Sequence, residues 1–264
     1  MAAPTLTDDD IATLTEAVRA IAEAAGRVVM EIYAGAFAVR AKPDETPVTD
    51  ADHAAEAVIL PALRALTPAI PAISEEAAAA DAPPIPPGPT FWAVDPLDGT
   101  REFVRRNDEF SVNIGLVREG RAVLGVVHGP ALGVTYFTAG PDTAMRAVPG
   151  EPGRPIAARV VPPDGPTVIG SRSHGNSRRV AAWLEGTPVA GRIVMGSALK
   201  FGHLAEGTAD LYPRFGPTSE WDTAAGHAVL RAAGGSVATL DGTELAYGKP
   251  GFLNPAFIAR GRRD

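Results

Sequence analysis

The chain of 264 residues contains no cysteine. That absence excludes disulfide staples and Cys-ligated zinc or iron–sulfur centres. Aromatic residues are scarce at 6%, and positive charge is in deficit, with Lys+Arg 24 against Asp+Glu 31 and a formal net charge of −7. General attraction to nucleic acid or to an anionic membrane is therefore not expected, and an anionic small molecule would need a local basic cluster or metal ions. No uninterrupted apolar run approaches the ~18 residues that signal a membrane span. The apolar stretch Ala22–Ala38 is broken by Arg27 and Glu31, and the acidic segment Met1–Asp10 lacks the pattern of a signal peptide. With 45% hydrophobic and 21% charged residues, the composition is that of an ordinary soluble globular protein, and the lack of cysteine is consistent with a cytoplasmic one.

Against these absences stands the run Trp92-Ala93-Val94-Asp95-Pro96-Leu97-Asp98-Gly99-Thr100. Two carboxylates three residues apart follow an apolar strand. Left uncompensated, such a pair repels by about 4 kcal/mol at roughly 4 Å and an effective dielectric near 20. A hard cation with a taste for oxygen ligands, such as Mg²⁺, removes that penalty. Pro96 has no amide proton and is expected to end strand pairing. Leu97 can then offer its carbonyl, and the Gly99 and Thr100 amides at a helix start can hold a phosphate oxygen. A second acidic motif lies far downstream in Glu220-Trp221-Asp222-Thr223-Ala224-Ala225-Gly226-His227. Asp222 reads as the start, and ordinarily the cap, of a helix running to about Ala233. The small residues Ala224, Ala225 and Gly226 let that helix approach another backbone closely.

The rest of the chain reads as mixed α and β in layers. Thr7-Asp8-Asp9-Asp10 caps a long amphipathic helix with Ile11, Leu14, Val18, Ile21 and Ala25 on one face. A second helix is expected over Ala51–Leu66, a short strand toward Ile73, and a Pro-rich loop from Ala77 to Thr90. Phe91–Asp95 reads as a buried strand. Val112, Ile114 and Leu116 alternate with smaller or polar residues, and Ala122–Val127 and Val134–Thr138 follow as antiparallel neighbours. Beyond Gly170 come a helix near Ser177–Glu185, a strand Arg192–Met195, a helix Ala198–Glu206 and a strand Ala209–Tyr212.

Several segments together resemble the lithium-sensitive, magnesium-dependent phosphatases of the inositol monophosphatase superfamily. They resemble most the CysQ-type 3′(2′),5′-bisphosphate nucleotidases. The matching segments are Lys42–Asp52, Ile73-Ser74-Glu75-Glu76, Trp92–Asn113, Ser171-Arg172-Ser173-His174, Gly196-Ser197-Ala198-Leu199-Lys200, Leu211–Pro217 and Phe252-Leu253-Asn254-Pro255. The resemblance spans nearly the whole chain. It implies an α+β fold, a layered αβαβα sandwich, in one domain over residues 1–264. The half to about residue 150 would carry most metal ligands, and the half from 151 would carry the substrate residues and Asp222. It further implies that Glu75, Asp95, the Leu97 carbonyl, Asp98 and Asp222 bind two or three Mg²⁺ ions. Asp52 would help to place a further ion or its water, while Glu75 and Thr100 orient and deprotonate the attacking water.

The implied substrate is adenosine 3′,5′-bisphosphate, converted to AMP and phosphate, with its 5′-phosphosulfate analogue as a second substrate and a place in sulfur metabolism. Gly99, Ser171, Arg172, His174, Ser197, Lys200 and Arg214 would contact it beside Glu75, Leu97, Asp98, Thr100 and Asp222. Charge-assisted hydrogen bonds from Lys200 and Arg214 to a second phosphate would each be worth roughly 1.5–3 kcal/mol. Two departures from the usual pattern concern specificity: Arg101 stands where lysine is common, and Ala198 where serine is common. The role of Glu76 stays open. Trp92 and Trp221 are expected as core anchors, and His53, His128, His203 and His227 as structural or exposed. Two rivals remain: a phosphatase of the same fold acting on inositol or sugar monophosphates, and a catalytically silent module that binds the bisphosphate. Peripheral association with the inner membrane rests on the resemblance alone, and the oligomeric state is left open.

Overall fold

A long helix opens the fold because Thr7 and Asp10 satisfy each other's backbone amides in a capping box. The computed structural model describes residues 7–41, 47–80, 88–148, 151–173 and 177–262. In chain order the first half comprises α1 (Asp8–Ala34), β1 (Val39–Ala41), β2 (Pro47–Thr49), α2 (Asp50–Leu66), β3 (Ala72–Ser74) and α3 (Glu75–Ala80). It continues with β4 (Thr90–Asp98), α4 (Thr100–Val104), β5 (Ser111–Arg118), β6 (Arg121–Gly129), β7 (Val134–Gly140) and β8 (Thr143–Ala147). The second half holds β9 (Arg154–Ile156), β10 (Thr167–Ser171), α5 (Ser177–Trp183), β11 (Gly191–Met195), α6 (Leu199–Ala205) and β12 (Leu211–Arg214). α7 (Ala224–Ala232), β13 (Ser236–Thr239) and β14 (Phe257–Arg260) complete it.

Two sheets organise these elements. β3-β4-β5-β6-β7-β8-β9 form a seven-stranded sheet, antiparallel except for the parallel β3–β4 pair, and β11-β10-β12-β14-β13 form a mixed five-stranded sheet. α1 and α2 cover one face of the larger sheet through a core that includes Val18, Ala25, Ile59, Trp92, Ile114 and Leu124. α6 and α7 fill the space between the sheets with Phe201, Leu204, Val229 and Leu230. α5 packs on the smaller sheet through Val180, and Leu184 just beyond it joins Val168 and Leu211. The layers are therefore αβαβα, as the resemblance implies.

α7 reaches the larger sheet because three glycines clear its path. A Cβ on Gly115 would lie 2.7 Å from the Ala225 nitrogen, and one on Gly125 would lie 2.1 Å from the Ala225 oxygen. Gly226 in turn accepts the Phe201 ring at a distance that leaves no room for a side chain. The close approach expected from Ala224, Ala225 and Gly226 is thus matched by bare backbone on the facing strands. Both faces of β5 are buried, so its alternation separates two cores rather than core from solvent.

Several boundaries differ from expectation. Ala77–Ala80 belong to α3 rather than to a loop, and residues 81–87 of the Pro-rich segment lie outside the described residues. β4 runs on to Asp98: Pro96 breaks its register with β5, but the ladder resumes where Asp98 faces Ser111. The missing amide interrupts pairing without ending the strand. β12 begins and ends two residues later than expected, which puts Arg214 on the strand itself. α5 is shorter, and α7 starts at Ala224 rather than Asp222. Among the described residues, no helix is long and apolar enough to cross a membrane.

Candidate active site

β3 and β4 pair in parallel with Ser74 opposite Val94, so the next residues along, Glu75 and Asp95, emerge side by side at the ends of their strands. Asp222 joins them from the loop before α7. One carboxylate oxygen from each of Glu75, Asp95 and Asp222 lies within 4.8 Å of the others. Asp98 stands close by, with its carboxylate accepting from Asn113 Nδ2 at 3.3 Å. Burial pushes the Asp222 carboxyl up to about 8, with further upward pressure from the charges of Asp98 and Glu75. Burial likewise raises Asp98 to about 6, opposed by the Lys200 ammonium and reinforced by Glu75. Burial and neighbouring carboxylates thus raise Asp98 and Asp222, with Lys200 and Arg214 offsetting part of the rise.

The turn after β4 adds a different element. Gly99 sits in the left-handed region at φ +91°, and a Cβ there would meet the Glu109 carbonyl at 3.1 Å. This conformation carries the chain directly into α4. The Thr100 hydroxyl is 3.2 Å from both Asp52 Oδ1 and the Leu97 carbonyl, to which it donates. Asp52 Oδ2 meanwhile accepts from the Thr49 amide and hydroxyl at 2.7 Å, closing the capping box of α2. One buried carboxylate therefore fixes the start of α2 and orients the Thr100 hydroxyl.

Four residues outside the sequence-derived set support these groups. Glu56 on α2 accepts from the Ser74 hydroxyl and, at 3.2 Å, from the Ala77 amide, fastening the segment that carries Glu75. Asn254 Nδ2 donates to the Ser219 carbonyl at 2.7 Å and to Thr223 Oγ1 at 3.0 Å, on both sides of Asp222. Glu220 is fully buried and accepts from the Gly248 and Lys249 amides and the Lys249 ammonium, so it ties down a loop instead of entering the acidic cluster. Asp222 does not cap α7; Thr223 occupies the N-cap, and Asp222 Oδ2 takes the Ser219 amide at 2.8 Å. Asn254 and Glu220 lay inside motifs already singled out, whereas Glu56 carried no local signal.

The acidic cluster forms one wall of a cleft of about 620 Å³, a size suited to a small organic ligand. The same cleft is also lined by cations. Lys200 on α6 is buried and donates to the carbonyls of Met195 and Ser197, with its ammonium 5.2 Å from the Tyr212 ring centre. Burial lowers its pKa to about 8, against the pull of Asp98 and with the push of Arg214. Arg214 at the end of β12 is also buried. Its Nη2 donates to the Pro217 carbonyl at 2.6 Å, while its Nε has no hydrogen-bond partner. Two cations that raise each other's cost, one with an orphaned donor, form a receptive place for an anion.

Ser197 joins this wall at φ +47°, a left-handed conformation that turns the chain into α6. Ser171, Gly99, Arg101, Glu102 and Ala198 also line the cleft. Arg172 is not among the lining residues. Its guanidinium forms a two-pronged pair with Glu109 at 2.6 and 2.7 Å, and Glu109 also accepts from the Gly196 amide. His174 and residues 42–46 of the first matching segment lie outside the described residues. Glu76 is buried beyond Glu75 and does not line the cleft. Trp92 is fully buried with Nε1 donating to Thr67, whereas Trp221 is buried against Phe252 at the cleft floor. His128 and His227 are buried beside Thr135 and Tyr247; His203 bonds to Thr208, and His53 is exposed.

Residues 10–262 match the inositol monophosphatase family. The chain belongs to that family. The 3′(2′),5′-bisphosphate nucleotidase CysQ of Salmonella typhimurium is 44% identical over 256 residues, covering 92% of this chain and 98% of the relative. The protein of the same name from Escherichia coli K12 is 43% identical over 247 residues, 90% of this chain and 95% of its own length. The crystal structure of CysQ from Bacteroides thetaiotaomicron superposes with a TM-score of 0.79 at 33% identity, covering 96% of this chain and 98% of that one. Inositol monophosphatase from Anabaena superposes at 0.70 with 25% identity, covering 96% and 92%.

The inositol monophosphatase family is metal-dependent, and the residues present fit that requirement. Glu75, Asp95 and Asp222 offer only oxygen donors at a spacing that one ion can bridge. Burial first, and then the charge of neighbouring carboxylates, raises Asp98 and Asp222, and a divalent cation removes that cost.

Proposed function

We propose that this chain is a Mg²⁺-dependent 3′(2′),5′-bisphosphate nucleotidase that removes the 3′-phosphate from adenosine 3′,5′-bisphosphate, giving AMP and phosphate, and that accepts the 5′-phosphosulfate analogue. The observation that carries this reading is that buried Lys200 and Arg214 line the same cleft as the acidic cluster. A monophosphate needs only the acidic side. A substrate with a second anion gives the two buried cations a partner. The 44% identity to relatives named for this activity supports the same choice over an inositol or sugar monophosphate.

Glu75, Asp95, Asp98, Asp222 and the Leu97 carbonyl would hold the metal ions. When bound, Mg²⁺ supplies Lewis-acid polarisation of the phosphoryl oxygens and makes water a stronger nucleophile. The chain's own groups do the rest. The single Thr100 hydroxyl proton is shared between Asp52 and the Leu97 carbonyl, which leaves its lone pairs to accept from a water and orient it. Glu75 takes the proton as the water oxygen bonds to phosphorus and the bond to O3′ breaks, and the departing 3′-alkoxide takes a proton from solvent water to give the 3′-hydroxyl of AMP. The Gly99 and Thr100 amides steady the phosphoryl oxygens at the turn. Lys200, Arg214 and Ser197 bind the 5′-phosphate, with Ser171 beside them. For Arg172 we propose a positioning role through Glu109, since its donors are committed there. Both halves of the chain thus act as one catalytic unit.

Phosphate release in Mg²⁺, comparing adenosine 3′,5′-bisphosphate with inositol 1-phosphate at equal concentration, tests the reading. A preference of a hundredfold or more for the bisphosphate is expected. Equal rates would leave the metal chemistry standing and remove the nucleotide. Tight bisphosphate binding without release would favour the silent binding module.

A further inference from the structure

Among the described residues, the groups assigned above are matched to the two phosphates of such a substrate, and none is assigned to its base. Of the large hydrophobic residues that stand exposed, Leu253, at 62%, is the one that lines the cleft. Its orientation is imposed by the backbone. Gly251 and Phe252 both adopt left-handed conformations, at φ +72° and +54°, which for a bulky residue such as Phe252 is uncommon and must be held by its surroundings. The Phe252 ring is fully buried, 5.8 Å from the Phe91 ring and 6.0 Å from that of Trp221. Its carbonyl accepts from the Glu220 amide at 2.8 Å, and the next residue but one, Asn254, donates from its backbone to Thr218 at 2.9 Å. With Phe252 driven inward and Asn254 pinned, Leu253 is turned out into the cleft.

Its neighbours give the position meaning. Leu253 forms a bridge with Ser219, and Ser219 lies on the segment that joins Arg214 to Asp222. A ligand that spans the acidic cluster and the cationic wall passes this point. We infer that Leu253 is a specificity-determining residue that covers an apolar face of the nucleobase. The inference rests on the nucleotidase reading above. A rigidly held aliphatic side chain suits the face of a planar heterocycle and offers nothing to a hydroxylated ring such as inositol.

The test is steady-state kinetics in Mg²⁺ with wild type, Leu253→Ser and Leu253→Met, on two substrates. One is adenosine 3′,5′-bisphosphate, and the other is the base-free methyl ribofuranoside 3,5-bisphosphate. Loss of the apolar contact in Leu253→Ser should raise KM for the nucleotide by roughly tenfold, with kcat within about twofold. KM for the base-free compound should move far less, and Leu253→Met should restore most of the nucleotide affinity. An unchanged nucleotide KM in Leu253→Ser, or an equal rise for both substrates, overturns the inference while the nucleotidase reading stands. Failure of the wild type to release phosphate from the nucleotide would remove that reading and this inference with it.

Discussion

Asp95 and Asp98 reach the cleft from the end of a single strand, three residues apart, and Glu75 joins them through the adjacent strand. Lys200 and Arg214 arrive on a helix and a strand that belong with the other sheet, and neither is next to the other in sequence. The acidic wall is thus a product of local sequence and one strand register. The cationic wall depends on how two layers meet. The electrostatics differ in the same way. On the acidic side, carboxyls are raised by burial and mutual repulsion; on the cationic side, an ammonium is lowered by burial and by a neighbouring guanidinium. Each wall is uncomfortable alone, and each is relieved by a ligand of the opposite charge. Metal ions for one and a phosphate for the other offset the charge of each.

The comparison can be broken most severely on the acidic side. Asp95→Ala or Asp222→Ala should lower kcat for any phosphate substrate by about a thousandfold, in line with the several kcal/mol that metal polarisation supplies. Phosphate release at saturating Mg²⁺ measures it, and near-normal turnover would remove these residues from the metal site. On the cationic side, Lys200→Ala or Arg214→Ala should cost about ten- to a hundredfold in kcat/KM for the bisphosphate. The same variants should change inositol 1-phosphate turnover little, so the ratio of the two substrates is the readout.

A third test uses stability. The Asp222 and Asp98 carboxyls are raised in the folded protein from 3.8 to about 8 and about 6. Between the unfolded and folded values the folded state binds more protons, so metal-free stability should fall as pH rises from about 4 to about 8 and then level off. Thermal unfolding in chelator across this range should show the decline, and Mg²⁺ should oppose it at the upper end. Asp222→Asn should raise the metal-free Tm at pH 8 by about 2–4 °C for each kcal/mol of repulsion relieved, even though it abolishes activity. A metal-free Tm that climbs steadily with pH would contradict the repulsion argument.

The smallest effect is expected at Arg172. Its guanidinium is committed to Glu109, so Arg172→Ala should cost less than about tenfold in kcat/KM, acting through Glu109 and the Gly196 turn. A loss as large as that of Lys200→Ala would instead place Arg172 on the substrate.

Much of this was legible before any coordinates. The Asp95–Thr100 run announced a turn lined with carboxylates, and Thr7 with Asp10 announced the first helix, because capping and strand-end chemistry are local. The small residues of Ala224–Gly226 foretold close packing, although not that Gly115 and Gly125 would be its counterpart. Asp222 was misplaced as a cap because a lone acid before an apolar helix reads the same whether it takes a helical amide or the Ser219 amide. Arg172 resembled a substrate contact because its motif says nothing of Glu109, 63 residues away in sequence.

The sequence by itself determined the family, through motifs in order along nearly the whole chain, and that resemblance implied the layer order; the acidic half of the cleft was marked by closely spaced motifs read over a few residues. Only the tertiary structure decided which charges are paired and which are left for a ligand. It separated Glu220 from the acidic cluster and committed Arg172 to Glu109. It also left the Arg214 Nε without a partner and turned Leu253 into the cleft. Pairing and burial are properties of distances between elements, and no local pattern encodes them.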